Sequence, residues 1–146
     1  MTIVRSGEGR VLKVLDDTLR VLLPSSDSPH RMAVMMVEVP AGGFTPPHSH
    51  RDEEEGYLIL EGELAMTLGS SERRLAPGDF AYVPPGMLHG YRNVGAGTVR
   101  FLAWTVGGPI DEFFAAMSEG VREMPRDAAV MAKLMQRYGV APAGAG

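Results

Sequence analysis

Four histidines occur in the 146-residue chain, and three of them stand where they could share one cation. His48 and His50 are two residues apart, so on a strand both imidazoles point to the same side. The carboxylate run Asp52-Glu53-Glu54-Glu55 follows after a short bend and can bring an oxygen ligand to that spot. His89 comes just after a tight Pro84-Pro85-Gly86 turn, where another strand begins. Neutral imidazoles and a carboxylate suit a divalent first-row metal, and three His with one Glu on a rigid sheet leave positions open for water or substrate. Cysteine is absent, which excludes disulfides, thiolate ligation and a cysteine nucleophile. No glycine-rich nucleotide loop is present either, so no organic cofactor is expected.

These residues need strands to aim them. Residues 10–106 read as β structure: short apolar segments recur at close spacing, broken by Asp16-Asp17, Pro24-Ser25-Ser26-Asp27, Pro40-Ala41-Gly42-Gly43, Pro77-Gly78-Asp79 and Gly95-Ala96-Gly97. Such spacing predicts an antiparallel sandwich or barrel rather than βαβ units. Pro77-Gly78 fits the centre of a type II turn, Pro setting φ and Gly supplying the positive φ. Over residues 109–139 the period changes. Ile110, Phe113, Phe114 and Met117 make one apolar helical stripe, and Met131, Leu134, Met135 and Tyr138 make another. Pro109 and Pro125 suit first-turn positions and Gly120 and Gly139 suit helix ends, so two short helices are expected on the outside of the β unit. The remainder, 140–146, is expected to be a flexible tail.

The two histidine stretches resemble the two motifs of the cupin superfamily. In the first, Gly42, five residues, His48-x-His50, four residues, Glu55, six residues and Gly62 fill every slot. In the second, Gly78, five residues, Pro84-x-Gly86, two residues, His89, three residues and Asn93 do the same. Fifteen residues, 63–77, lie between them. The resemblance covers residues 35–106. It implies an all-β fold, a jelly-roll antiparallel β-barrel over 1–108 with the two C-terminal helices packed on it. It also implies one divalent transition metal (Fe, Mn, Ni, Co, Cu or Zn) held by His48, His50, Glu55 and His89. Strand alternation puts residues 53 and 55 on one face and 54 on the other; the spacing to Gly62 selects Glu55, and a bulge would substitute Glu54. Asp52 and Glu53 read as a solvated loop.

Tyr57 shares parity with Glu55, and Tyr91 with His89, so both are candidates for the wall of a substrate pocket; ordinary packing is the alternative for each. His30 reads as an exposed loop residue and Asn93 as a turn tie. The stretch Tyr57-Leu58-Ile59-Leu60-Glu61-Gly62-Glu63-Leu64 and the start Pro109-Ile110-Asp111-Glu112-Phe113-Phe114 look like quercetinase-like small cupins. That likeness implies a metal-dependent dioxygenase acting on a small enol- or phenol-type substrate, with Glu55 as the catalytic base. The alternatives are a non-redox cupin, such as a Zn-dependent polyketide cyclase, and a small-molecule binder without turnover.

Composition limits the partners. Fourteen Lys+Arg against 18 Asp+Glu give a net charge of −4, which disfavours nucleic acid, since phosphate neutralisation needs a basic patch. The longest apolar run, Met32–Val37, is six residues, far short of a membrane span. The first residues, MTIVRSGEGR, lack an apolar leader segment, and a cytoplasmic location is expected. Both faces of the Met32–Val39 segment are largely apolar, so its outer face should be covered by the helices or by a second subunit, and a homodimer is expected.

Overall fold

The computed structural model describes residues 1–145. Two antiparallel sheets face each other. The first has the order β1-β2-β3-β10-β5-β8, built from β1 (Arg10–Val14), β2 (Asp17–Leu23), β3 (Ala33–Val39), β5 (Glu54–Glu61), β8 (Phe80–Val83) and β10 (Val99–Val106). The second runs β11-β4-β9-β6-β7, from β4 (Phe44–His50), β6 (Leu64–Leu68), β7 (Ser71–Leu75), β9 (His89–Asn93) and β11 (Val140–Pro142). This is the jelly-roll arrangement, all-β with two short C-terminal helices. The sheets do not close on each other by hydrogen bonds, so the expected barrel is a two-sheet sandwich.

Alternation sets the core. In β3, Ala33, Met35, Val37 and Val39 are buried while Val34 and Met36 are only half-buried; in β10, Val99, Phe101, Ala103 and Thr105 turn inward. Apolar residues on the inward face of each sheet therefore meet between them. The predicted type II turn is present: Gly78 has φ 93° and Asp79 N–H donates to Ala76 O at 2.9 Å.

The helices are α1 (Ile110–Gly120) and α2 (Ala128–Tyr138). Gly139 ends α2 in the left-handed conformation, as expected of a helix stop. Pro125 departs from expectation. It lies in the turn ahead of α2, and Asp127 occupies the cap position instead. The 140–146 tail departs further. Val140–Pro142 forms β11 along β4, pairing Val140 with His50 and Pro142 with His48, because burying Val140 to 6% exposure and filling an open strand edge both favour order. The helices lie against β1 and β11, so they do not cover the outer face of β3. Among the described residues no helix is long and apolar enough to cross a membrane.

Candidate metal centre

Three strands converge on the site. β4 carries His48 and His50, its antiparallel partner β9 places His89 in register with His48, and β5 of the facing sheet supplies Glu55. The Pro84-Pro85-Gly86 turn ties these together: Gly86 adopts φ 79°, and its N–H donates to His50 O at 2.7 Å. Gly90, next to His89, allows the close approach of β4, since a side chain there would run into Thr45 O and the Pro47 backbone.

The rings are pinned from behind. His48 Nδ1 lies 2.8 Å from Pro46 O, and His89 Nδ1 lies 2.9 Å from Met87 O. Each carbonyl can only accept, so in the neutral ring the proton sits on Nδ1 and Nε2 keeps its lone pair. His50 Nδ1 faces the carboxylate of Glu53 at 3.7 Å. The Nε2 atoms turn inward. Those of His48 and His50 are 3.1 Å apart, His50 Nε2 is 3.4 Å from Glu55 Oε1, and His89 Nε2 is 2.7 Å from Glu55 Oε2. One ligand atom from each histidine lies within 4.8 Å of the others. His89 Nε2 is buried and makes no well-formed hydrogen bond; in the neutral ring its lone pair and a carboxylate oxygen press together unless a proton or a cation lies between them. A cation among these atoms resolves that conflict, and the donor set therefore fits a first-row metal.

Burial lowers His48 to about 4, helped by His89 and His50, and burial also lowers His50. Both rings are thus neutral and ready to ligate at ordinary pH. Burial would raise Glu55, but His50 and His89 outweigh it and hold the carboxyl down at about 2. Tyr57 OH donates to Glu55 Oε2 at 2.7 Å and fixes its orientation.

The bulge alternative does not arise. Glu54 turns outward and accepts from Tyr82 OH at 2.7 Å, while Glu55 faces the rings. Glu53, read as a solvated loop residue, is corrected: it is 1% exposed, packed behind His50 under Gly108, and burial raises its acid to about 7. Its parity with Glu55 was the available signal. Tyr57 and Tyr91 both line a cavity of about 590 Å³ that opens from the rings. Its wall is largely apolar, with Met35, Phe101, Phe113 and Met117 among its residues, and Met131 and Met135 reach it from α2. Asp17 also lines it, buried, and accepts a short hydrogen bond from Tyr91 OH. Asp16-Asp17 reads in sequence as turn punctuation; parity with the apolar Leu19 and Val21 on β2 marks Asp17 as inward. Asn93 ties its turn as expected, donating to Val39 O and Gly97 O. His30 is exposed and is not one of the three converging histidines.

Known proteins agree with this architecture. Quercetin 2,3-dioxygenase of Bacillus subtilis (strain 168) is 28% identical over 115 residues, 79% of this chain, and the chain spans only 34% of that protein's length. Among solved structures, KdgF from Halomonas sp. superposes with a TM-score of 0.68 at 18% identity, covering 77% of this chain and 98% of that one. The polyketide cyclase RemF from Streptomyces resistomycificus gives 0.62 at 27% identity, covering 73% of this chain and 79% of that one. Residues 35–105, which hold all four converging side chains, match the family described as Cupin domain, and the chain belongs to the cupin family.

Proposed function

We propose that this cupin is a metal-dependent enzyme acting on a small enol- or phenol-type substrate, a dioxygenase in the manner of the quercetin 2,3-dioxygenase it resembles. The observation that carries the reading is the convergence of three imidazoles, two of them buried, with Glu55, where His48, His50 and Glu55 line a largely apolar cavity of about 590 Å³. His48, His50, His89 and Glu55 would hold one divalent transition metal. Such an ion supplies Lewis acidity toward a substrate oxygen and, if redox-active, a path to O₂.

The chain's own residues do the rest. Pro46 O and Met87 O keep the His48 and His89 lone pairs aimed inward. Tyr57 holds the Glu55 carboxylate, which is ionised at neutral pH and beside two of the rings, where it takes the hydroxyl proton of the substrate. The apolar wall excludes water from the oxyanion that results.

A second reading is a non-redox cyclase, favoured by the RemF likeness at 27% identity. Oxygen separates the two. Purified protein of known metal content, given quercetin, consumes O₂ in proportion to product if it is a dioxygenase; unchanged turnover under argon supports the cyclase. Glu55→Gln that keeps ligand affinity while turnover was absent throughout would leave a binding protein. We also propose a homodimer across the outer face of β3, β10, β5 and β8, where Phe80 and Tyr82 are 54% and 53% exposed.

A further inference from the structure

The cavity holds a second buried carboxylate that the chemistry above does not use. Asp17 opens β2 and turns inward on the same face as Leu19 and Val21. It is 5% exposed and lines the cavity shared with His48 and His50. Its Oδ2 accepts the Tyr91 hydroxyl, while Oδ1 is buried with no hydrogen-bond partner among the described residues. Lys13, the cation whose charge acts on Asp17, is engaged elsewhere, donating from Nζ to Thr18 Oγ1 at 2.8 Å.

Register gives the spacing. On β9 and β4, His89 pairs with His48, and Tyr91 pairs with Thr45. Tyr91 is thus one step along the same strand face from His89, roughly 7 Å away. Asp17 reaches this second rung from the opposite sheet. The hairpin that delivers it is strained. Val14 pairs with Asp17 across a two-residue turn in which Leu15 takes φ 54°, a conformation that disfavours leucine, and both Leu15 and Asp16 line the cavity. A buried, unpartnered carboxylate oxygen lowers stability, as does a leucine at positive φ, and such costs cluster where a ligand is received.

We propose that Asp17 sets specificity. Its free oxygen accepts a hydrogen bond from a second hydroxyl of the ligand, one step removed from the oxygen that faces the histidines. The cavity therefore takes polyhydroxylated aromatic molecules in preference to monohydroxylated ones. This rests on the enol or phenol reading given above. The electrostatics agree: burial raises the Asp17 acid to about 6, against the Tyr91 hydrogen bond, with Asp16 adding to the rise and Lys13 opposing it.

Calorimetric titration of metal-loaded and EDTA-stripped protein with quercetin, and with 3-hydroxyflavone, tests this. The second compound keeps the enol oxygen and lacks the other hydroxyls. The wild type should bind quercetin about ten-fold more tightly or better. Asp17→Asn, which leaves an acceptor for Tyr91 and puts a donor in place of the free oxygen, should bring quercetin down toward 3-hydroxyflavone, and Asp17→Leu should do the same. A wild type without the preference, or variants that keep it, overturns the inference. Asp17 is no metal ligand, so the preference should survive EDTA. Protein that holds metal yet shows no preference sinks this inference alone, whereas an Asp17-dependent preference in protein that never takes up metal sinks the metal reading alone. Melting curves give a second readout. Asp17→Asn should match the wild type near pH 4 and melt a few degrees higher above pH 6, because ionising the buried Asp17 costs the fold stability as pH rises through about 6. A variant that melts lower at every pH marks Asp17 as merely structural and overturns the inference.

Discussion

His89 and Glu55 face each other across 2.7 Å, ring Nε2 to carboxylate Oε2, while Nδ1 of the same ring lies 2.9 Å from Met87 O. With Nδ1 committed to that carbonyl, the two facing atoms are both acceptors in the neutral ring. Something positive must lie with them: a proton or a metal ion. Burial works to lower His89, but the hydrogen bond and charge of Glu55 outweigh it, and the acid lies above its ordinary value.

The first prediction follows from that competition. The folded value of His89 is raised, so in metal-free protein the imidazolium–carboxylate pair stabilises the fold fully below the ordinary histidine range and is lost as pH rises through the raised value. Metal affinity must run the opposite way, gaining roughly ten-fold per pH unit across the same window as one proton is displaced. His48, lowered to about 4, adds no competing proton there. Calorimetric titration with Zn²⁺ from pH 5 to 8 measures the slope; a flat profile would contradict histidine ligation.

A second prediction concerns the support behind His50. Glu53 is buried with its Oε2 3.7 Å from His50 Nδ1, and a side chain on Gly108 would collide with the Glu53 carboxylate. Carboxylates behind ligating histidines fix ring orientation, and their loss commonly lowers metal affinity 10–100-fold, as an order of magnitude. Gly108→Ala should therefore weaken Zn²⁺ binding by about that factor while circular dichroism stays that of the wild type. His48→Ala, by comparison, should lose metal altogether and still fold, since His48 is only half-buried and stands outside the cluster of apolar residues that forms the core. If Gly108→Ala binds metal as tightly as the wild type, His50 is held without Glu53.

The sequence made the strands and the four converging side chains legible because both depend on local rules. Alternation fixes which way His48, His50 and Glu55 point, and Pro84-Pro85-Gly86 fixes the turn before His89. What stayed hidden depends on contacts between distant segments. Glu53 could be taken for solvated because nothing local says that Gly107 and Gly108 fold over it. Val140–Pro142 looked like a tail because a short Ala, Pro and Gly segment has little strand propensity, and only the open edge of β4 recruits it. Barrel closure, too, is a matter of long-range register, and β7 and β8 remain edges of separate sheets.

The β11 pairing makes a third prediction. Arg51 N–H donates to Gly139 O at 2.9 Å, and Val140 and Pro142 sit opposite His50 and His48. Deleting residues 140–146 removes that brace and bares the edge of the strand that carries two of the three rings. Losing the buried Val140 alone should cost about 1.5–3 kcal/mol, read as a lower midpoint in urea. Metal affinity should fall as well, because β4 loses its restraint. A truncated protein with the wild-type midpoint and affinity would show that β4 positions its histidines unaided.

The last prediction tests the proposed homodimer. Trp104 on β10 lies flat against Gly56, where any side chain would strike the indole, and Phe80 on β8 stacks on it at 5.3 Å and 12°. Phe80 nonetheless stays more than half exposed, as does Tyr82 beside it, and Val34, Met36, Leu58 and Leu102 extend the same outer face. Because α1 and α2 pack elsewhere, this face is the one that the proposed second copy of the chain would cover. Buried aromatic anchors dominate interface energy, at about 2 kcal/mol or more each, and a charge in their place adds a desolvation cost. Phe80→Glu should therefore weaken association by roughly thirty-fold or more and give a monomer by light scattering at micromolar concentration. Metal binding should be untouched, since Phe80 points away from the cavity. A wild-type chain that is already monomeric at high concentration would refute the assembly, and it would leave the metal site as it stands.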